Sequence, residues 1–185
     1  MDLYSAYNEP CPRQRIRHSQ FGREAVKTEE VRIEVQEGRQ LIIGQAHFIK
    51  TVEDLYESLV TAMPGIKFGV AFCEASGKAL VRSDGSDRAL ADSASDIAKR
   101  IGAGHTFVVV LEGSFPINVL NRVKAVEEVV QVFCATSNTV TVVVAESYGG
   151  KGVLGVIDGV SPKGVETDQD KEERHGFLRK IGYKR

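Results

Sequence analysis

The stretch that decides the fold is Phe68-Gly69-Val70-Ala71-Phe72-Cys73-Glu74. Its first six residues are apolar or glycine at both odd and even positions, which is typical of a strand that is buried on both faces. Such a strand needs a covering layer on each side, so it predicts a sheet with helices packed on it. A carboxylate at the end of a buried strand, here Glu74, is a candidate for holding a ligand hydroxyl or a metal. A turn residue is the alternative role.

Outward from this strand, apolar periodicity divides most of the chain into alternating strands and helices. Further strands are predicted at 31–35, 41–43, 79–82, 105–111, 129–135, 139–145 and 153–157. Helices are predicted at 51–63 with a cap at Thr51 and Asp54, from Ser86 or Asp87 to 101, from Pro116 to 121, and at 167–181 with caps at Thr167 and Asp170.

Two pairs of these strands have the spacing of hairpins. The segment 79–82 follows the decisive strand across Ser76-Gly77, and 129–135 is joined to 139–145 by Ser137-Asn138. Antiparallel pairs among alternating strands and helices predict the α/β class, with one mixed β-sheet and packed helices in a single domain.

The composition narrows the class of protein. The chain has 185 residues, 42% of them hydrophobic, and a formal net charge of -1. This length fits one domain, and the charge indicates no nucleic-acid or acidic-membrane partner. No apolar run approaches the roughly 20 residues that span a bilayer. Three cysteines without a CxxC pair argue against a secreted disulfide framework and against zinc, so we expect a cytoplasmic protein.

The start of the chain differs from the rest. Residues 1–28 lack hydrophobic periodicity and carry Pro10, Pro12 and several arginines. We expect a flexible N-terminal extension over 1–28 and the α/β domain over 29–185. A tail that packs on a neighbouring subunit is the alternative.

Common nucleotide-binding and hydrolase motifs are missing from the sequence. There is no G-x-x-x-x-G-K-[ST] phosphate loop, no G-x-G-x-x-G between a strand and a helix, no HExxH and no G-x-S-x-G. Candidate chemistry therefore lies in polar residues at strand ends and in glycine-rich turns.

Two histidines stand at such places. His105 follows Gly102-Ala103-Gly104 at the mouth of a strand, where glycines let a ligand approach the backbone closely. His47 comes just beyond the strand at 41–43. Imidazole can act as a base, a metal ligand or a phosphoryl acceptor. For both, a histidine satisfied by a hydrogen bond near the core is the alternative.

The remaining candidates are amides, glycine–lysine turns and a carboxylate. Asn118 and Asn121 lie three apart, so one helical face can present two amides to a nucleobase or ribose. Gly149 and Gly150 before a lysine, together with Lys163, can hold phosphates, and Asp158 can bind Mg²⁺. A solvated helix face and ordinary surface turns are the alternatives.

Five segments together resemble the adenosine-specific kinase family of archaea and bacteria, over residues 30–185. They are 43–56 (IGQAHFIKTVEDLY), 65–77 (GIKFGVAFCEASG), 102–107 (GAGHTF), 116–121 (PINVLN) and 155–166 (GVIDGVSPKGVE). Ala46 and Val160 stand where the family pattern leads us to expect a serine and a larger apolar residue.

The resemblance implies an α/β protein assembled as a homotrimer, binding of adenosine or AMP, and histidine phosphorylation. ATP and Mg²⁺ follow from such chemistry. His105 is the first candidate for the reactive histidine, because glycines flank it at a strand mouth, and His47 is the second. Binding of base or ribose is assigned to Glu74, Asn118 and Asn121, binding of phosphate to Gly149, Gly150 and Lys163, and binding of metal to Asp158.

Two functions remain open at this point. The first is an enzyme that transfers the γ-phosphoryl group of ATP to adenosine, through a phosphohistidine. The alternative is a non-catalytic module that binds or senses adenine nucleotides and is regulated by histidine phosphorylation.

Overall fold

A computed structural model describes residues 25–184. Its elements follow in chain order: β1 (Lys27–Ile33), β2 (Arg39–Ala46), α1 (Thr51–Ala62), β3 (Lys67–Cys73), β4 (Val81–Gly85), α2 (Arg88–Ile101), β5 (Thr106–Glu112), α3 (Pro116–Ala125), β6 (Val129–Thr136), β7 (Val140–Ser147), β8 (Gly150–Asp158) and α4 (Asp168–Lys180). The expected flexible extension falls almost wholly on residues that lie outside this range, and β1 begins at Lys27, just before the expected start of the domain.

The strands form two sheets. One has five strands in the order β4-β3-β5-β2-β6, and the other has three in the order β1-β7-β8. The α/β class and the single domain with helices packed on sheets are confirmed. Where the sequence led us to one mixed sheet, every pairing between the described strands is antiparallel.

The predicted hairpin of β3 and β4 is confirmed, but the predicted hairpin of β6 and β7 is wrong. β6 pairs with β2, whereas β7 lies between β1 and β8 in the other sheet. The reason is burial: Val140, Val142 and Val144 of β7 are completely buried. These valines pack across the core toward the five-stranded sheet, so β7 must face that sheet rather than extend it.

Burial on both faces of β3 is confirmed, and it divides the core into two layers. On one face, Ala71 and Cys73 belong to a cluster with α2 and the three-stranded sheet. On the other face, Phe68, Val70 and Phe72 pack with the buried residues of α1 and α3. Burial of apolar surface on both sides, at about 25 cal/mol per Å², stabilises the five-stranded sheet between the two clusters.

The predicted caps of α2 and α4 are confirmed and that of α1 is wrong, while α3 ends at Ala125 rather than at the predicted 121. Asp87 caps α2 by accepting from the Leu90 N–H at 3.2 Å, and Thr167 caps α4. Thr51 does not cap α1: its hydroxyl donates to the Phe48 carbonyl, and Lys50 occupies the N-cap position. Within residues 25–184, no helix combines the length and apolar character needed to cross a membrane.

Candidate functional site

A cleft opens at the end of the five-stranded sheet where β2 and β3 finish and β5 begins. We call it the histidine cleft. It has a volume of about 270 Å³, and it is lined by His47, Phe48, Ile49, Phe72, Glu74, Ala75, Ser76, Gly77, Lys78 and His105. Three residues that the sequence placed on separate strand ends, His47, Glu74 and His105, therefore share one cavity.

His105 is held in an uncommon backbone conformation. Its φ is +63°, in the left-handed region that non-glycine residues rarely adopt. Its N–H donates to the Cys73 carbonyl at 2.7 Å, and its carbonyl accepts from the Ala46 N–H at 2.9 Å. The ring stacks on Phe72 with centroids 5.8 Å apart. Strain of this kind persists where surrounding contacts enforce it, which happens most often at functional sites.

The glycine before His105 is required by close packing. A Cβ on Gly104 would lie 2.9 Å from the Cβ of Ala75, in the loop that lines the cleft. The glycine-rich approach to His105 thus brings the start of β5 and the 74–80 loop closer together than any other residue would allow.

Glu128 bonds to two residues of the segment that forms the cleft wall around His47, namely His47 itself and Lys50. The His47 N–H donates to the Glu128 carbonyl at 3.0 Å. The Lys50 ammonium bonds to the carboxylates of Asp54 and Glu128, at 2.8 Å from the latter. These bonds, that to Asp54 first, raise the pKa of Lys50. The other carboxylate oxygen of Glu128 is buried without a partner among the described residues.

Glu74 closes the opposite wall. Its carboxylate accepts from the Leu80 N–H at 3.0 Å and from Arg82 at 2.7–2.9 Å. The Leu80 N–H, and then Arg82, lower the pKa of Glu74. One oxygen thus closes the 74–80 loop through Leu80, and the other binds Arg82 of β4. The sequence predicts that Glu74 holds a ligand. In the structure its carboxylate lines the cleft and is bonded to Leu80 and Arg82.

Comparisons with known proteins agree with this arrangement of strands and turns. A family model described as adenosine specific kinase matches residues 31–184. The chain belongs to the adenosine specific kinase family.

The crystal structure of the PH1918 protein from Pyrococcus horikoshii OT3 is similar, with 45% sequence identity and a TM-score of 0.83. The match covers 87% of this chain and 99% of that one. A search of curated proteins found no match.

The amides predicted to bind a nucleoside lie away from the histidine cleft of this adenosine specific kinase family member. Asn118 is at the start of α3, which follows β5 at the opposite end of the sheet. Its side-chain oxygen accepts from the Phe115 N–H at 2.9 Å, and its amide nitrogen lies 3.5 Å from the Tyr183 hydroxyl. Asn121 is exposed one turn further along. The structure thus gives Asn118 a helix-capping role.

The predicted metal and phosphate residues are also dispersed. The Asp158 carboxylate accepts from Thr136 at 2.9 Å and from Asn138 at 3.0 Å, at the end of β8. Lys163 is exposed in the loop between β8 and α4. Within residues 25–184 there is no group of three or more His, Cys, Asp or Glu residues arranged to hold a metal ion.

The glycine–lysine turn is mostly strand. Gly149 turns the chain with a φ of +78°, and β8 begins at Gly150. Lys151 bonds to Glu29 at 2.5 Å, which raises the pKa of the lysine. A Cβ on Gly102 would lie 3.8 Å from the Lys151 side chain, so this hairpin reaches the helix end that leads to His105.

A larger cavity at the opposite end of the sheet was not predicted. We call it the aromatic groove. It has a volume of about 730 Å³ and is lined by Gln40, Phe115, Pro116, Ile117, Leu120, Ala135, Thr136, Ser137, Phe177, Leu178, Ile181, Tyr183 and Lys184. The signal available in the sequence was the set of apolar residues, Phe177, Ile181 and Tyr183, on a helix and tail that are otherwise charged.

Proposed function

We propose that this protein binds adenosine or AMP in the histidine cleft and that His105 carries a phosphoryl group from ATP to the nucleoside. The observation that carries the proposal is the enforced left-handed conformation of His105 at the wall of a cavity that also contains His47. A histidine with only a packing role would gain nothing from this backbone strain. The family description supports the class of reaction.

The reaction proceeds in two transfers. A ring nitrogen of His105 attacks the γ-phosphorus of ATP, so an N–P bond forms while the P–O bond to the β-phosphate breaks, and ADP leaves with the electron pair. The adenosine 5′-oxygen then attacks the same phosphorus, and the N–P electron pair returns to the imidazole. The proton of the 5′-hydroxyl passes to His47. Such transfers depend mainly on positioning and charge neutralisation.

The lining of the histidine cleft supports a nucleoside in this place. Phe48 and Ile49 are 44% and 50% exposed on one wall, and they offer an apolar surface to a base. Lys78 lies in the loop on the other side, where its charge suits a phosphate. Ser76 and Gly77, which also line the cleft, are small residues that leave space for a ribose.

Mg²⁺ does not fit at this cleft through the residues that the sequence suggested. Glu74 is engaged by Arg82 and the Leu80 N–H, and Asp158 is bonded to Thr136 and Asn138 at the other end of the sheet. We therefore derive no step through a metal. These engaged carboxylates favour the second candidate function, a module that binds adenosine or AMP and whose phosphohistidine regulates without turnover.

A homotrimer belongs to the same proposal. Its support here is the large apolar side chains left exposed on and after β8, namely Leu154, Val160 and Val165. Size determination in solution by light scattering tests it, and a monomer would contradict it.

The deciding experiment uses γ-labelled ATP with and without adenosine. Protein is kept alkaline because phosphohistidine is acid-labile. We expect label on the protein, loss of that label when adenosine is added, and more than one equivalent of labelled AMP per subunit. His105→Ala should abolish protein labelling, whereas His175→Ala, a matched change at an exposed histidine of α4, should not.

Other outcomes separate the two functions. Label that stays on the protein at one equivalent per subunit or less, beside measurable AMP binding, would exclude the kinase and leave the binding or sensing module. Full labelling of His105→Ala would move the reactive role away from this residue.

A further inference from the structure

The aromatic groove has the character of a ligand site. Rings from separate parts of the chain meet there: Phe115 precedes α3, and Tyr183 follows α4. Their centroids are 6.4 Å apart at an interplanar angle of 76°. Phe177 of α4 adds a third ring. A concave, mostly apolar cavity of this size with a few polar groups is the usual form of a small-molecule site.

A largely buried glutamine lines this groove, and its amide has no hydrogen-bond partner among the described residues. Gln40, the second residue of β2, is only 8% exposed. Its side chain makes no hydrogen bond to any residue in the described part of the chain. The amide oxygen and nitrogen of Gln40 still reach solvent, since neither is among the buried unpaired polar atoms of the described residues. A largely buried amide that lines a cavity and has no protein partner can both donate to a bound ligand and accept from it.

We propose that the aromatic groove binds a purine base of the adenine type, as a second site separate from the histidine cleft. The flat ring packs against Phe115, Phe177 and Tyr183, where aromatic contacts favour an extended π-surface. The amide of Gln40 both donates and accepts, which matches the adjacent amino group and ring nitrogen of adenine. This inference stands on the groove alone and goes beyond the proposed function.

The two sites cannot share one ligand ring. Gln40 lies near the start of β2, and His105 bonds to Ala46 at its end. Six residues of extended strand separate them, which is about 20 Å. Occupancy of the groove is thus independent of His105, so the two sites are testable separately.

The sequence contains no tryptophan, so one introduced tryptophan reports on one site. Ile117→Trp places a reporter in the groove at a residue that is 67% exposed, and Phe48→Trp places one in the histidine cleft. Each variant is titrated with adenosine and followed by fluorescence, with a thermal melt to show that it is folded. Purine riboside, which lacks the 6-amino group, is the comparison ligand.

The expected result is a saturable change in Ile117→Trp. Adding Gln40→Leu should weaken that binding about tenfold or more, the usual loss for a bidentate amide–adenine pair. Adding His105→Ala should leave it unchanged. Purine riboside should bind the groove more weakly than adenosine. Gln40→Met serves as a second variant where the leucine chain melts early.

Several results would overturn the inference. The first three are the absence of a saturable signal from Ile117→Trp, equal adenosine affinity with and without Gln40, and equal affinity for purine riboside and adenosine. The fourth is a fluorescence signal that depends on protein concentration rather than on adenosine, which would assign the groove to a contact between subunits. A response from Phe48→Trp alone would refute the groove site and keep the proposed function. A response from Ile117→Trp alone would support the groove site and contradict binding of adenosine in the histidine cleft.

Discussion

The two ends of the five-stranded sheet differ in how their chain segments are held together. At the histidine cleft, three backbone bonds join four chain segments, from His105 to Cys73, from Ala46 to His105 and from His47 to Glu128. At the aromatic groove, large apolar residues remain partly open to solvent: Phe115 is 52% exposed, Ile117 67% and Tyr183 40%. No residue of α4, which forms one side of the groove, is buried.

This difference supports the proposal that phosphoryl transfer takes place at the histidine cleft. Transfer of a phosphoryl group depends on holding reacting groups in place, so a cavity fixed by backbone bonds on both walls is suited to it. The groove is formed by a helix and tail that are held to the body by few contacts, such as that between Asn118 and Tyr183. Such a surface is suited to binding, where ordering on contact with a ligand is tolerated.

The largest expected effect compares a glycine at each end. A Cβ on Gly44, in β2 near the cleft, would lie 2.3 Å from the Phe107 ring and 2.5 Å from the Gln131 carbonyl. Gly113, near the groove, has φ +70° and open space around it. We expect Gly44→Ala to lower the free energy of unfolding by about 3 kcal/mol, because the core is overpacked. Gly113→Ala should cost about 1 kcal/mol, because backbone strain of about 1–2 kcal/mol is partly offset by the lower freedom of alanine in the unfolded chain.

Urea unfolding of both variants measures this contrast. In a chain of this length 3 kcal/mol corresponds to a fall of roughly 10 °C in Tm. Equal costs for the two substitutions would mean that the cleft end is no more closely packed than the groove end.

A smaller effect separates backbone strain at His105 from its chemistry. Both His105→Ala and His105→Gly remove the imidazole and the stacking on Phe72, but only glycine relaxes the left-handed φ. Relief of the backbone strain raises the free energy of unfolding by about 1–2 kcal/mol. The greater freedom of glycine in the unfolded chain lowers it again by about 0.4–1 kcal/mol. His105→Gly should therefore be the more stable variant by roughly 0.5–1 kcal/mol, measured by urea unfolding, and both should lose protein labelling.

The reverse order of stability would refute strain at His105. The chain would then adopt another conformation there once the ring is removed, and the cleft would owe its shape to the imidazole rather than to the backbone bonds.

The sequence was sufficient for most elements of this fold but not for their assembly. Apolar runs such as 68–73 and caps such as Asp87 and Thr167 act locally, so their patterns identify elements correctly. The separation of β6 from β7 depends on which face of each strand meets the core. The short Ser137-Asn138 connection is equally compatible with a hairpin and with a crossing between sheets.

The candidate site was predictable to the same extent. The sequence placed His47, Glu74 and His105 each at a strand end, and the structure brings the three into one cavity because their strands are neighbours in one sheet. Asn118 and Asp158 obey equally good local patterns, yet antiparallel connections carry them to the other end. The aromatic groove forms only because α4 packs near α3. This tertiary contact cannot be predicted from a local sequence pattern.

The smallest expected effect is a loosening of the histidine cleft in acid, with no matching change at the groove. The Leu80 N–H and Arg82 hold the pKa of Glu74 below its usual value of 4.5. A carboxyl whose pKa is lower in the folded state stabilises that state fully above the unfolded value and loses this contribution as pH falls through the folded one. The Leu80 amide donates to Glu74. We therefore expect its hydrogen-exchange protection, corrected for intrinsic rates, to decrease when the pH is lowered below about 4.5. The Phe115 amide donates to the uncharged side chain of Asn118 and should keep its protection. Glu74→Ala supplies the control, because it removes the acceptor and should show low Leu80 protection already at neutral pH and no further acid dependence. Protection of Leu80 that is independent of pH in the unchanged protein would mean that the loop is held by its backbone turns rather than by the carboxylate, and that Glu74 is free to meet a ligand after all.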